Sequence, residues 1–501
     1  MTLAKTQAAF LIGLHPTLVT VEVALQIGIP GLQIVGLANR SVAEAKQRVI
    51  GALHQLGIRL PARKCVVNLA PGHVLKTGTS FDLAIAAGLL AANGKLRFEI
   101  SQVFLVGELA LDGQVRSVPG LLGMILKAQT AGLKIFLIPA AQLSEVVCLT
   151  SLVIIPLCSL AELLSLTPVD LEHSRVNCSS AQSPKNSSLI ANRGQTDLDE
   201  IVGQDQAKRA LTITAAGLHH LLLVGPPGCG KTLLAQAIVG LLPTMSVSEQ
   251  IEVTQIYSAA GLNPDGLLTD RPFRAPHHSI SLVGLVGGGM ELRPGEITLA
   301  HRGVLFLDEL PEFQAVGLEA LRQPLETGSV TLVRSKGSLN YPATCLLIAA
   351  ANPCRCGWYQ SQVKNCRCSP QSLVQYHQRL SGPLLDRFDL IVKLDAVPIT
   401  QLMKSRTSSI STVTTTLAGK ITQVRNVFGR PAGQMSLVEV QGLKLEPSVK
   451  QLLTRAATHW QLSARVCHKL IRVALTIARL ESETEIKLHH LAEALQYRVQ
   501  L

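Results

Sequence analysis

Leu221-Leu-Leu-Val-Gly225-Pro226-Pro227-Gly228-Cys229-Gly230-Lys231-Thr232-Leu-Leu is the stretch that decides how this chain is read. Four apolar residues in a row predict a buried strand, and the helical run Leu233 to Leu241 follows a turn of glycines and prolines. The turn fits the P-loop pattern in the required context, after a strand and before a helix. Its glycines let backbone N–H groups curl around phosphates. Lys231 is placed to reach the β and γ phosphates of ATP, and the Thr232 hydroxyl to ligate Mg²⁺. Cys229 is read as a spacer within the loop rather than as a redox switch.

A nucleotide-hydrolysing site also needs acid at the end of a second strand. Val304-Leu-Phe-Leu-Asp308-Glu309 supplies it. Asp308 is placed to hold Mg²⁺ through water and Glu309 to polarise the attacking water. A third apolar strand, Cys345 to Ala349, runs into Ala350-Ala-Asn352-Pro353, which puts an amide at a strand's C-terminal edge.

The 501 residues exceed what one core comfortably serves, so several domains are expected. Hydrophobic residues make up 47% and aromatics only 3%, which calls for cores of Leu, Val, Ile and Ala. The net charge of +12 favours an anionic partner, nucleic acid before an acidic protein or a membrane surface. From residue 396 onward fourteen Lys and Arg face six Asp and Glu. Eleven cysteines without a short secreted framework suit a reducing cytosol. The apolar start is broken by Pro16 and alternates like a strand at Val19-Thr-Val-Glu-Val, so no signal peptide is expected. Val146 to Ala161 is too short to span a bilayer and reads as a buried strand followed by a helix.

Residues 1–166 mix strand-like runs (Leu32-Gln-Ile-Val-Gly, Cys65-Val-Val-Asn-Leu) with helical stretches, Ser41 to Leu56 and Phe81 to Ala92, and predict an α+β domain. Residues 167–195 turn polar and read as a linker. Strands and helices alternate over 196–395, and 396–501 becomes helical, with Leu452, Ala456, Leu470, Val473, Ala474 and Ile477 as apolar stripes. The fold class is therefore multidomain α/β.

Arg271-Pro-Phe-Arg-Ala-Pro-His-His-Ser, Gly287-Gly-Gly, Arg293-Pro-Gly-Glu and the Asp308 strand together resemble the magnesium-chelatase-like branch of the AAA+ ATPases. In the N-terminal region, Gly31-Leu-Gln-Ile-Val-Gly-Leu, Asn68-Leu-Ala-Pro-Gly, Lys76-Thr-Gly-Thr-Ser80-Phe-Asp-Leu and Gly107-Glu-Leu-Ala-Leu-Asp-Gly extend the likeness to the YifB/ComM family, though Pro71-Gly-His and Arg302 depart from its pattern.

The resemblance implies a ribosomal-S5/Lon-protease-like fold for 1–166, an AAA+ core for 196–395 and a helical lid for 396–501. It makes Asn352 the sensor 1 amide and Arg387, in Gly382-Pro-Leu-Leu-Asp386-Arg387-Phe388-Asp389, the arginine finger that serves a neighbouring subunit. A pairing of Arg387 with Asp386 or Asp389 is the alternative. Arg465 resembles sensor 2, ahead of Arg472. Ser329 to Pro342 fits the hairpin before sensor 1, with Arg334 and Lys336 at its tip placed for DNA phosphates. Ser80 aligns with a Lon-like serine, but Leu122 stands where the lysine belongs, so proteolysis is not expected.

Cys354-Arg-Cys356 and Cys366-Arg-Cys368 form either a structural zinc clip or a set of reduced thiols. His277 and His278 are expected to point apart, as part of the clade's insertion. The implied whole is a cytoplasmic homo-oligomer, a hexameric ring using ATP and Mg²⁺, that acts on single-stranded or branched DNA as a branch-migration helicase in natural transformation. A metal-insertion motor and a protein-remodelling ATPase are the alternatives.

Overall fold

Along His15–Gln26 the valines at 19, 21 and 23 are buried while Thr20 and Glu22 are partly exposed, the period of two that a half-buried strand requires. A computed structural model describes residues 2–37, 39–173, 197–262, 266–289, 292–334, 337–361, 364–380, 382–397 and 412–498. It resolves into two compact units. One comprises Met1–Leu189, Ser246–Thr269 and Met290–Arg293; the other comprises Ile190–Met245, Asp270–Gly289 and Pro294–Leu501.

The first unit is built on seven strands: β1 (Thr2–Ile12), β2 (His15–Gln26), β3 (Gly31–Val35), β4 (Lys64–Ala70), β5 (Val103–Leu105), β6 (Ile135–Pro139) and β7 (Val153–Leu157). Their order is β3-β4-β2-β1-β5-β6-β7. The pairs β1/β2 and β2/β4 are antiparallel and the rest parallel, so the sheet is mixed. Helix Asp82–Ala92 (DLAIAAGLLAA) is apolar all round and is buried almost throughout. Its first residue is the exception: Asp82 is fully buried and is clamped by Arg48, whose Nε and Nη2 reach its two carboxylate oxygens at 2.5 and 3.0 Å.

Two details depart from the sequence reading. Helix Pro168–His173 occupies the start of the expected linker, and 174–196 lie outside the described residues. Helix Val247–Ala259, whose sequence lies inside the ATPase stretch, belongs to the first unit, where it packs on helix Leu121–Thr130. The Gly120 N–H donates to the Ser258 hydroxyl (3.2 Å), which donates to the buried Glu145 carboxylate (2.8 Å).

The second unit holds a five-stranded sheet, all of whose pairs are parallel: β8 (Leu221–Val224), β9 (Phe273–Arg274), β10 (Val304–Leu307), β13 (Leu346–Ala351) and β14 (Leu390–Lys393), in the order β9-β10-β13-β8-β14. Between β10 and β13 the chain makes an antiparallel hairpin, β11 (Ser329–Arg334) and β12 (Gly337–Pro342). Strands β8, β10 and β13 are buried along their whole length, as parallel strands covered on both faces must be. Leu470, Val473, Ala474 and Ile477 of helix Ala464–Leu480 share one core with Leu221, Phe306 and Ile348, and Leu452 is only partly buried against it. Among the described residues no helix is long and apolar enough to cross a membrane.

Arg48→Ala leaves the Asp82 carboxylate buried without its cation, a loss of about 3 kcal/mol or more. Denaturant unfolding of the first unit's signal is expected to register it, and an unchanged midpoint would remove Arg48 from the account of this core.

Candidate nucleotide-binding site

The parallel register sets Val224 beside Ala351, and the Gly225 N–H donates to the Ala351 carbonyl at 3.1 Å. The loop that follows β8 and the turn that follows β13 therefore leave the sheet side by side, at the C-terminal edge where ligands of open α/β sheets bind. Gly228 (φ 76°) and Gly230 (φ 90°) adopt left-handed backbone that a side chain would strain. Helix Lys231–Ala237 starts directly after them. It is shorter than expected, tightening to a 3₁₀ turn at Ile238–Leu241.

The Lys231 ammonium donates to the carbonyls of Gly225 (2.8 Å) and Pro226 (2.9 Å) and to Asn352 Oδ1 (3.0 Å). Burial lowers its pKa, opposed by the charges of Cys229, Asp308 and Glu309. The Thr232 hydroxyl donates to Asp308 Oδ2 at 3.2 Å, and Asp308 Oδ1 accepts the Glu309 N–H at 2.9 Å. Thr232 and Asp308 are hard oxygen donors facing one another and suit Mg²⁺. Glu309 stands in left-handed backbone (φ 52°), a sparsely populated state for this residue type. The Asn352 backbone is itself held, since the Tyr376 hydroxyl donates to its carbonyl at 3.0 Å.

The histidine pair departs from expectation. The rings of His277 and His278 lie 4.1 Å apart instead of pointing away from each other. In the same turn the Ser279 N–H reaches His277 Nδ1 at 3.3 Å, and the two rings are tilted by 34°. His278 Nδ1 then lies 3.5 Å from Glu309 Oε2. Nothing in the local sequence signals that contact.

Arg387 does not pair with either neighbouring acid. Asp386 takes Arg498 at 2.9 Å and Asp389 takes Lys469 at 2.9 Å. Against the upward push of burial, Lys469 and a hydrogen bond from the His219 side chain hold Asp389 well below the usual carboxylate range. Arg387 and Arg465 instead meet on Glu326, at 3.8 and 3.0 Å. Arg472 faces other charges, those of Asp389, Glu439 and Arg430, and burial lowers its pKa. Arg334 ends β11 at the hairpin tip, and Lys336 lies outside the described residues.

Cys354, Cys356, Cys366 and Cys368 bring four sulfurs within 4.8 Å of one another. The separations 354–356, 354–366 and 356–366 are 3.3, 3.7 and 3.6 Å. Sulfurs on a tetrahedral zinc, with Zn–S of about 2.3 Å, stand about 3.8 Å apart, so the set fits that ion. A second cluster, Glu481, His489 and His490, does not fit a metal. His490 Nδ1 accepts the Lys487 N–H, which leaves the neutral ring's proton on Nε2, donated to Glu481 at 3.0 Å. The cysteine loop also touches the P-loop: a Cβ on Gly357 would come within 2.5 Å of Pro227 Cδ.

In the first unit the Ser80 hydroxyl donates to the Ala9 carbonyl (2.8 Å), and Leu122 is sealed in the core. Lys76, also buried, donates its ammonium to the Pro71 carbonyl.

Residues 197–402 match the family described as magnesium chelatase, subunit ChlI; residues 21–142 match subunit ChlI of Mg-chelatase, and 409–498 the ChlI C-terminal family. The chain is 40% identical over 505 residues to the Escherichia coli K12 protein named "Uncharacterized protein YifB", covering 99% of this chain and 97% of that one. It is 41% identical over 516 residues to "Competence protein ComM" of Haemophilus influenzae, covering 99% and 98%. The chain belongs to the YifB/ComM family. A more distant likeness, 23% over 333 residues, links it to the "DNA replication licensing factor mcm7" of Xenopus tropicalis, over 59% of this chain and 41% of that protein. The YifB/ComM proteins thus sit among the magnesium-chelatase-like AAA+ proteins, a group of ATPases.

Gly357→Ala drives a methyl group into Pro227 and strains a left-handed position (φ 83°). A cost of about 1–3 kcal/mol is expected, with faster amide exchange across 225–232 in hydrogen-exchange mass spectrometry. Unaltered exchange there would mean that the cysteine loop does not brace the P-loop.

Proposed function

We propose that this chain binds ATP with Mg²⁺ at the Gly225–Thr232 loop and hydrolyses it between copies of itself in a ring, a hexamer in the family's manner. The observation that carries the reading is the convergence of Lys231, Thr232, Asp308, Glu309 and Asn352 at one sheet edge. Lys231 draws on the β and γ phosphates, exchanging loop carbonyls for phosphate oxygens. Thr232 and Asp308 would hold Mg²⁺, which supplies charge neutralisation on the phosphates. Glu309 accepts a proton from the attacking water and Asn352 orients it. Arg387 offsets the charge developing on the γ-phosphate of the adjacent copy. Because Arg465 shares Glu326 with Arg387, it acts from the same side.

The mechanical output we propose is movement on single-stranded or branched DNA, leading to branch migration when incoming DNA is integrated. The +12 charge, the basic C-terminal region, the hairpin Ser329–Pro342 and the names of the ComM and mcm7 relatives support it. We assign the first unit a scaffold role on a Lon-like fold, because Ser80 has a carbonyl where a serine nucleophile needs a base. The C-terminal helices serve as a lid, and the four cysteines hold a structural zinc.

Purified protein is expected to hydrolyse ATP faster with forked or single-stranded DNA, with a stimulation that fades as salt rises. Lys231→Ala is expected to lose about 100-fold or more. Turnover indifferent to DNA would leave an ATPase and end the DNA reading. Native mass spectrometry is expected to find one zinc per chain, lost in Cys356→Ser/Cys366→Ser; protein that purifies free of zinc while its thiols are intact would rule out the clip.

A further inference from the structure

Helix Arg322–Thr327 lies just before the hairpin and carries two charged residues that the ATPase reading leaves unused. Glu326 offers one oxygen, Oε1, to two guanidinium groups: Arg465 Nη2 at 3.0 Å and Arg387 Nη1 at 3.8 Å. Arg322 lies close enough for its charge to bear on Arg387, and its own Nη1 rests on Glu319, one turn back, at 3.2 Å. Three cations therefore face two carboxylates, and one positive charge is left over.

Arg387 is only 8% exposed. A guanidinium so buried needs a counterion, and the acids on either side of it in sequence are already held by Arg498 and Lys469. That leaves Glu326. Burial lowers the Arg387 pKa, Arg322 and Arg465 push the same way, and Glu326 and Glu319 oppose them. Without the Glu326 charge, Arg387 and Arg465 would repel one another and separate.

The backbone is fixed to match. Lys469, one turn beyond Arg465 on helix Ala464–Leu480, donates to the Arg387 carbonyl at 2.8 Å. The two arginines thus have their main chains tied by Lys469 and their side chains tied by Glu326. Each guanidinium carries five N–H donors, and the pairing with Glu326 engages one nitrogen of each. Among the described residues no hydrogen bond or ion pair joins Arg387 or Arg465 to Lys231, Thr232, Asp308, Glu309 or Asn352.

We propose that Glu326 is a positioning residue of the ATPase: its carboxylate gathers Arg387 and Arg465 into a two-pronged receptor for the terminal phosphate of ATP held by a second copy of this chain, with Arg322 adding to the field. This rests on the between-copy role of Arg387 given above. Glu326 touches no reacting atom. It sets the spacing of two groups that do, and it balances their charge until a phosphate arrives.

The test is steady-state turnover of full-length chains, alone and mixed. Glu326→Gln keeps the side chain's size and removes its charge at a site 44% exposed, so folding is expected to survive. Its kcat is expected to fall roughly ten- to hundred-fold, the range for residues that orient a functional group. Binding of a fluorescent ATP analogue to the unassembled chain is expected to stay unchanged. Added to Arg387→Ala/Arg465→Ala, Glu326→Gln is expected to cost nothing more, since the groups it positions are gone.

Mixing Glu326→Gln chains with Lys231→Ala chains is expected to recover turnover, because the intact loop of one meets the intact arginines of the other. Full activity of Glu326→Gln, or a further loss on the arginine-free background, would overturn the proposal. If Arg387→Ala mixed with Lys231→Ala recovers and Glu326→Gln mixed with Lys231→Ala does not, this proposal alone falls. If neither mixture recovers, the between-copy role of Arg387 falls, and this proposal with it.

Discussion

The register of two adjacent parallel strands, Val224 against Ala351, determines where the candidate site sits. A slip of one residue would turn every side chain of β8 to the opposite face and carry Lys231 away from Asn352. The slip is resisted on both sides of β8, since β13 and β14 flank it and all three strands are wholly or largely buried. The Gly225 N–H to Ala351 carbonyl bond is the last rung of that ladder, and the Lys231–Asn352 hydrogen bond is a side-chain continuation of it. The site is thus positioned by the sheet, and the loops inherit their placement.

A second organising element is Asp389, which directly precedes β14 and sits among Lys469, His219 and His220 with its side chain 11% exposed. A carboxylate so withdrawn from water needs partners, and these come from two segments distant in sequence, 219–220 and 469. The His220 N–H donates to it, and the same histidine's Nδ1 accepts the Leu347 N–H, so Asp389 is connected to the start of β13. Burial pushes the His220 imidazole down to about 4, which keeps it neutral in that role. Through Lys469 the network also reaches the backbone of Arg387. The segment bearing the arginine is therefore anchored to the sheet rather than left as a surface loop.

Much of this was legible from local pattern. The P-loop, the strand ending in Asp308 and Glu309, and the hairpin of Ser329–Pro342 are signals contained within a dozen residues, where periodicity and turn chemistry act. What escaped was set by contacts between distant segments. That Asp386 would take Arg498, 112 residues away, and so leave Arg387 to Glu326, has no local signature. The approach of the His277 and His278 rings, tilted by 34°, accompanies a turn in which the Ser279 N–H reaches back to His277 Nδ1, against the usual divergence of adjacent side chains. Helix Val247–Ala259 falls within the ATPase stretch by its place in the sequence, whereas it packs on helix Leu121–Thr130 of the first unit, with Ile251 against that unit's core.

That helix changes what it means to dissect this molecule. The chain leaves the second unit after Met245, contributes Ser246–Thr269 to the first, returns at Asp270 and contributes Met290–Arg293 as well, so the first unit is assembled from three stretches of sequence. A fragment begun after residue 196 would keep the helix and lose helix Leu121–Thr130, on which it packs. The assembly state of such a fragment would report the cut as well as the chain's own preference. A division that respects the first unit has to keep its three stretches, Met1–Leu189, Ser246–Thr269 and Met290–Arg293, together.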